Sequence, residues 1–152
     1  MNSKIVFYDR TMTIPVKSGI VSHYYGELMH IQFDKPYCVL QFTKGRKYWV
    51  EVSIQEVLAN LPEAVFLKCK RSAIVNLCYL KSFHENPPTI EMADGVTFSL
   101  SKHNVLEFRM MTKRLDDLAP QCPICYPCEN KECKSQTLLC QSNKERSASF
   151  KN

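Results

Sequence analysis

The sequence predicts a mostly β domain of small antiparallel sheets with one or two short helices, followed by a cysteine-rich tail. Short runs of β-branched and aromatic residues fill the first third of the chain, and polar or turn-forming pairs separate them. A helical period of apolar residues appears in two stretches. A chain of 152 residues can bury one core, so we expect one domain with an appendage.

The predicted strands begin near the N-terminus. Several of them alternate in polarity, as half-buried strands do; residues 47–52 are an example. The pair Lys44-Gly45 is typical of a hairpin turn between two strands. The runs up to Val52 are KIVFY, GIVSHYY, LMHIQF, YCVLQF and RKYWVEV.

The period then changes to that of a short amphipathic helix. Ser53 and Glu56 have the spacing of a capping box, and Pro62 ends the helix. One helix face would carry Ile54, Val57, Leu58 and Leu61. Strand-like runs resume at AVFLKC and YLKSF, and the next segment is predicted to form a hairpin in which Asp94-Gly95 supplies positive φ angles.

A second helix is predicted from about Lys102 to Leu118, because apolar residues recur on one face and Pro120 follows. These apolar residues are Val105, Phe108, Met111 and Leu115. We therefore divide the chain into a packed domain, residues 1–118, and a flexible tail, residues 119–152, in which Pro, Ser, Asn, Lys and Cys show no hydrophobic period.

The composition favours an anionic partner without requiring one. Lys and Arg number 20 against 15 Asp and Glu, so the net charge is +5. No apolar run is long enough for a membrane helix, and the N-terminus lacks the pattern of a signal peptide. We expect a cytoplasmic protein without a membrane partner, whose eight cysteines are reduced.

The segment of residues 66–77, FLKCKRSAIVNL, concentrates three cations next to a small hydroxyl residue. Lys68, Lys70 and Arg71 could neutralise phosphates, Arg71 could also donate to a guanine edge, and Ser72 could bond a phosphate. Lysines at alternate positions are also typical of the solvated edge of a strand, and spacing alone favours that interpretation over DNA binding.

The same segment resembles the signature F-x-R-x-H-R-S-x-x-V-N of the LytTR family of DNA-binding domains. Arg71, Ser72, Val75 and Asn76 match it, whereas Lys68 replaces Arg and Lys70 replaces His. Upstream, VSIQEVLANLP resembles the helix that precedes the signature in that family. Downstream, DGVTFSLSKHNVLEF resembles its ending, and the order and spacing agree over about residues 3–113.

The resemblance implies a bacterial transcription regulator that recognises double-stranded DNA with loops rather than with a recognition helix. It implies pairs of protomers on repeated sites, and neither a small-molecule substrate nor a cofactor. The contacts it implies come from an early loop, the H-R-S turn and the residue after V-S. At matching positions these are Lys35, Tyr37, Lys68, Lys70, Arg71, Ser72 and Lys102. Lys in place of Arg loses bidentate recognition, so Lys68 and Lys102 are expected to hold the backbone.

An alternative function rests on the cysteines of the tail, which could make the chain a metal- or thiol-based sensor or a protein-interaction module. A flexible tail of reduced thiols that binds no metal is favoured over a metal site, and we assign no ligand. The cysteines concerned are Cys122, Cys125, Cys128, Cys133 and Cys140. In contrast, Cys38, Cys69 and Cys78 lie in apolar runs and are predicted to be core residues. No pattern of a catalytic site is present, so we do not expect an enzyme.

Overall fold

The computed structural model of the chain describes residues 4–117, which form eleven strands, two α-helices and three short 3₁₀ turns. All strand pairs among these residues are antiparallel. The mostly β class predicted from the sequence is therefore confirmed. The predicted tail of residues 119–152 lies outside the described residues, and so does Leu118, at which the predicted domain ends.

The strands form three sheets. The first sheet has the order β1-β2-β3, with β1 at Val6–Phe7, β2 at Thr11–Val16 and β3 at Gly19–Tyr24. The central sheet has the order β6-β5-β4-β8-β7, with β4 at Leu28–Asp34, β5 at Tyr37–Phe42, β6 at Lys47–Val50, β7 at Phe66–Lys70 and β8 at Ala73–Asn76. The third sheet has the order β11-β10-β9, with β9 at Leu80–Glu85, β10 at Pro88–Met92 and β11 at Thr97–Ser99.

Strand β2 is a finding that the sequence did not predict. Its residues Thr11–Val16 include Pro15, which cannot donate a hydrogen bond to a neighbouring strand. The strand tolerates Pro15 because β1 pairs only with Met12 and Thr13, so Pro15 has a single neighbouring strand, β3. The strand is therefore edge-like at this position, although it lies in the middle of its sheet.

Both predicted hairpin turns are present, but one differs in its geometry. Lys44 and Gly45 have φ angles of 63° and 72°, as a type I′ turn requires. In the second turn only Gly95 has a positive φ, 88°. Asp94 instead accepts a bond from the Val96 N–H, which is typical of a three-residue loop that closes with a left-handed glycine.

The two helices lie where the sequence predicts them. Helix α1 spans Ile54–Asn60, and the Ser53 hydroxyl accepts a hydrogen bond from the Glu56 N–H at its start. Helix α2 spans Lys102–Asp117. Its buried side chains are Phe108, Met111 and Leu115, and Phe108 packs against Phe83 of β9 with 4.7 Å between ring centroids.

The central sheet is covered on both faces. On one face, His23 of β3 stacks on Phe42 at 4.3 Å and contacts the Tyr48 hydroxyl at 2.9 Å, which joins the first sheet to the central sheet. On the opposite face, His30 of β4 lies against Phe98 of β11, which joins the third sheet. Towards the end of β4, part of this second face is not covered by the third sheet, and Gln32 is exposed to solvent there.

His30 is buried, and its Nε2 donates a hydrogen bond of 2.8 Å to the Asp94 carboxylate. A second proton would have to bind at Nδ1, which is buried and has no hydrogen-bond partner within residues 4–117. Burial lowers the pKa of His30 from its ordinary value, the bond and charge of Asp94 act in the opposite direction, and the charge of Lys47 adds to the lowering. The unfolded chain therefore binds this proton more tightly than the folded chain.

We accordingly expect the free energy of unfolding to decrease as the pH falls below 6.5, with the loss complete once the pH is below the lowered pKa. Urea unfolding at pH values of about 7.5 and 5.5 measures the difference. The variant His30→Leu should show a smaller difference than the parent chain, and His84→Leu, at an exposed position, is the matched control. Equal pH dependence in His30→Leu and the parent chain would contradict the expectation.

Candidate nucleic-acid interface

Two hairpin turns lie side by side at one end of the central sheet. The first joins β4 to β5 at residues 35–36, and the second joins β7 to β8 at residues 71–72. Strands β4 and β8 are neighbours, with Gln32 paired to Ala73. One step further along, the Phe33 N–H donates a hydrogen bond of 2.8 Å to the Ser72 carbonyl. The main chain itself therefore joins the two turns.

The start of helix α2 lies beside the second turn. The Ser101 N–H donates a hydrogen bond of 3.0 Å to the carbonyl of Cys69, near the end of β7. Lys102 follows Ser101 as the first residue of α2, and Lys70 follows Cys69. Three segments distant in sequence, at about residues 35–37, 68–72 and 102, are thus brought to one end of the sheet.

The predicted site residues at this end are accessible to a ligand. Lys35, Arg71 and Lys102 are exposed, and the exposed fraction of Tyr37 is 42%. Lys68, Lys70 and Ser72 are partly buried. Within residues 4–117, carboxylates form ion pairs with His23, His30, Lys81 and Arg109. None of these four is a predicted site residue, so the positive charges at the sheet end are available to an anion.

A β-bulge interrupts the alternation on which the sequence interpretation of residues 68–70 depended. Lys68 pairs with Ile74 and Lys70 with Ala73, so Cys69 is the additional residue. A bulge changes the direction of the side chains that follow it. Lys68 and Lys70 are therefore not equivalent members of one solvated strand edge.

Cys69 is a packing residue, as the sequence predicted. Its side chain is fully buried, its Sγ lies 3.6 Å from the Ala73 carbonyl, and burial raises the pKa of its thiol to about 11. Cys38 is also fully buried, and burial raises its pKa to about 11. Cys78 is buried in the same core. The prediction that these three cysteines belong to the core is confirmed.

A polar groove adjoins the two turns on the open part of the central sheet. Its volume is about 480 Å³, and its walls include Gln32, Val39, Lys47, Trp49, Lys70 and Ser72. The exposed fraction of Trp49 is 58%, and Lys47 Nζ lies 5.7 Å from the centroid of its ring. In the alternation of residues 47–52, Trp49 falls on the same side as Lys47 and Glu51, but the sequence analysis gave it no role. The sequence signal that could have identified Trp49 as a binding residue is its large aromatic side chain at a position where the alternation of the strand predicts a polar one.

Two other features are absent from the described part of the chain. Residues 4–117 contain no group of three or more His, Cys, Asp or Glu side chains placed to hold a metal ion. No helix among them is both long and apolar enough to span a membrane. The cysteines from Cys122 to Cys140, on which the sensor hypothesis depends, lie outside the described residues.

Comparison with known proteins identifies a relationship at the level of both sequence and fold. The family model of the LytTr DNA-binding domain matches residues 20–113. Among solved structures, the chain is similar to the LytTr DNA-binding domain of a Bacillus cereus protein described as a methyl-accepting/DNA response regulator. The TM-score is 0.61 at 20% identity, and the match covers 68% of this chain and 97% of the other. No curated protein matches the sequence.

Proposed function

Because this chain belongs to the LytTR family, it is a DNA-binding domain that acts in transcription regulation, and we propose that it recognises double-stranded DNA in a sequence-dependent way. The turns at residues 35–36 and 71–72 and the start of α2 would make the contacts. The observation that carries the proposal is the hydrogen bond from Ser101 to Cys69, because it brings Lys102 beside the turn that contains Arg71.

Each proposed contact has a physical basis. Arg71 is exposed at the tip of its turn, and its planar guanidinium can donate two bonds to a guanine edge in the major groove. Lys68, Lys70 and Ser72 would bond phosphates on either side. Lys35 and Tyr37 would contact the duplex from the adjacent turn. Lys102 would hold a phosphate at the N-terminus of a helix of 16 residues, where free N–H groups and the dipole favour an anion.

The remaining parts of the proposal concern assembly. The LytTR family is not a class of enzymes. We propose that two protomers bind repeated sites in bacterial cytoplasm, and that residues 1–118 are sufficient for DNA binding without residues 119–152.

Selection of bound duplexes from a random pool tests the proposal directly. We expect the full chain to enrich one motif, and to bind the enriched duplex more tightly than a scrambled duplex of equal length and composition. Removal of residues 119–152 should leave the enriched motif unchanged. Equal affinity for the enriched and scrambled duplexes would reject sequence-dependent binding, even if both bind.

Lys102→Gln should weaken binding to all duplexes alike. A single phosphate contact would be lost, so the dependence of log K on log salt should become less steep by about one unit, and the preferred motif should not change. Lys113→Gln, at an exposed lysine further along the same helix, is the matched control. A change of motif in Lys102→Gln would mean that Lys102 contacts bases rather than the backbone.

A further inference from the structure

The groove on the open face of the central sheet is continuous with the proposed DNA contacts. Ser72 belongs to the turn at the sheet end, Lys70 ends the strand that leads into this turn, and both residues line the groove. From there the groove extends across β4 and β5 to β6, the edge strand of the sheet. Gln32 pairs with Ala73 and with Val39, and Val39 pairs with Trp49, so the floor runs from the turn to Trp49.

The charges of the groove suit an anion that also offers an apolar surface. Lys47 and Lys70 contribute two positive charges against the single carboxylate of Asp34. Neither lysine forms an ion pair with a carboxylate of residues 4–117. The cation of Lys47 lies near the ring of Trp49, so charge and aromatic surface are presented together.

Trp49 itself is an exposed aromatic residue. It is the one tryptophan of the chain, and more than half of its surface is open, at 58%. Its main chain is held in β6 by pairing with β5, so the ring stands on a rigid element. Tryptophan offers a large apolar face and one N–H donor, a combination that is enriched at binding surfaces.

We propose that the groove binds the sugar-phosphate backbone of the same duplex that the turns recognise. The ammonium groups of Lys47 and Lys70 bond phosphates, and Trp49 packs against deoxyribose. This inference rests on the proposed function, because it assigns Lys47 and Trp49 to the DNA contact surface. The surface then extends beyond the sheet end to edge strand β6, and carries one more phosphate contact than the family signature implies.

The fluorescence of Trp49 tests the proposal in the unmodified chain. No other tryptophan contributes to the emission, so any change on addition of DNA reports on this side chain. We expect the enriched duplex to change the emission intensity and to protect Trp49 from quenching by acrylamide, with the same midpoint as binding measured by anisotropy of labelled DNA. Emission that changes with protein concentration in the absence of DNA would assign the groove to a second copy of the chain, and would overturn the proposal.

Lys47→Gln is the matching variant, and Lys17→Gln, at an exposed lysine in the turn of the first sheet, is its control. Lys47→Gln should weaken binding about threefold to tenfold at low salt and reduce the salt slope by about one unit. Lys17→Gln should change neither. Urea unfolding of both variants shows whether the fold is retained, and Lys47→Arg should restore the affinity because it retains the charge.

The outcomes separate this proposal from the function on which it rests. If the duplex binds in the anisotropy experiment but acrylamide quenching of Trp49 stays the same and Lys47→Gln behaves like Lys17→Gln, the groove is not a DNA contact, while the proposed function stands. If no duplex binds at all, the proposed function fails and the groove loses its ligand. Protection of Trp49 together with a specific effect of Lys47→Gln supports both.

Discussion

Arg71→Ala should weaken binding of the enriched duplex by about 1–3 kcal/mol, which is roughly 5- to 150-fold in Kd, while binding of scrambled DNA changes much less. Arg71 is exposed at the tip of the turn between β7 and β8 and has no carboxylate partner among residues 4–117. Its donors are therefore available to bases. Removal of the side chain leaves the sheet intact, so the loss should appear in DNA binding and not in stability.

Two variants distinguish recognition of bases from attraction by charge. Arg71→Lys retains the charge but loses the planar pair of donors, so it should bind scrambled DNA normally and discriminate poorly. Arg10→Ala removes another exposed arginine, from the turn between β1 and β2, and should change neither affinity. Competition anisotropy measures the Kd of each protein for the enriched and the scrambled duplex, and the ratio of the two Kd values gives the discrimination. If Arg71→Ala retained the parent ratio, the turn would not contact bases.

Asn76→Ala should lower the free energy of unfolding by about 2–4 kcal/mol, because it removes two hydrogen bonds that a buried side chain makes to the main chain. The exposed fraction of Asn76 is 0%. Its Nδ2 donates to the Leu28 carbonyl at 2.9 Å, and its Oδ1 accepts from the Cys78 N–H at 2.9 Å. The side chain thus joins β8 to the start of β4 and to the 3₁₀ turn that leads to β9.

Urea unfolding of the parent chain and of Asn76→Ala at neutral pH measures this difference in free energy. Asn60→Ala is the matched control: Asn60 is exposed, and its Nδ2 donates a bond of 2.8 Å to the Glu56 carbonyl at the end of α1. That change should cost less than about 1 kcal/mol. An unfolding free energy of Asn76→Ala equal to that of the parent chain would show that the bonds of Asn76 contribute nothing net.

The helices and turns whose geometry is determined by a few neighbouring residues could be predicted from the sequence. Helix α1 follows from Ser53, whose hydroxyl accepts from the Glu56 N–H, and the turn at Lys44 and Gly45 follows from residues that tolerate positive φ. The family signature placed Arg71 in a turn. In each case a few neighbouring residues determine the geometry, and no distant part of the chain is needed.

The remaining features depend on distant contacts. Strand β2 contains Pro15, and the sequence does not show that β1 ends before reaching it. The bulge at Cys69 depends on the register with β8, and the position of Lys102 depends on a main-chain bond to that bulge. The groove beside Trp49 exists because the third sheet covers His30 but not Gln32 on the same strand.

The bond between Phe33 and Ser72 has a consequence for the way in which binding sites can diverge. It joins main-chain atoms, so it is independent of the side chains that each turn presents. Substitutions at Tyr37 or Arg71 would then alter the bases preferred by one turn, while the distance between the two turns stays constant. The operators of related proteins that have this bond would then differ in base sequence but share the same spacing, in base pairs, between the recognised positions.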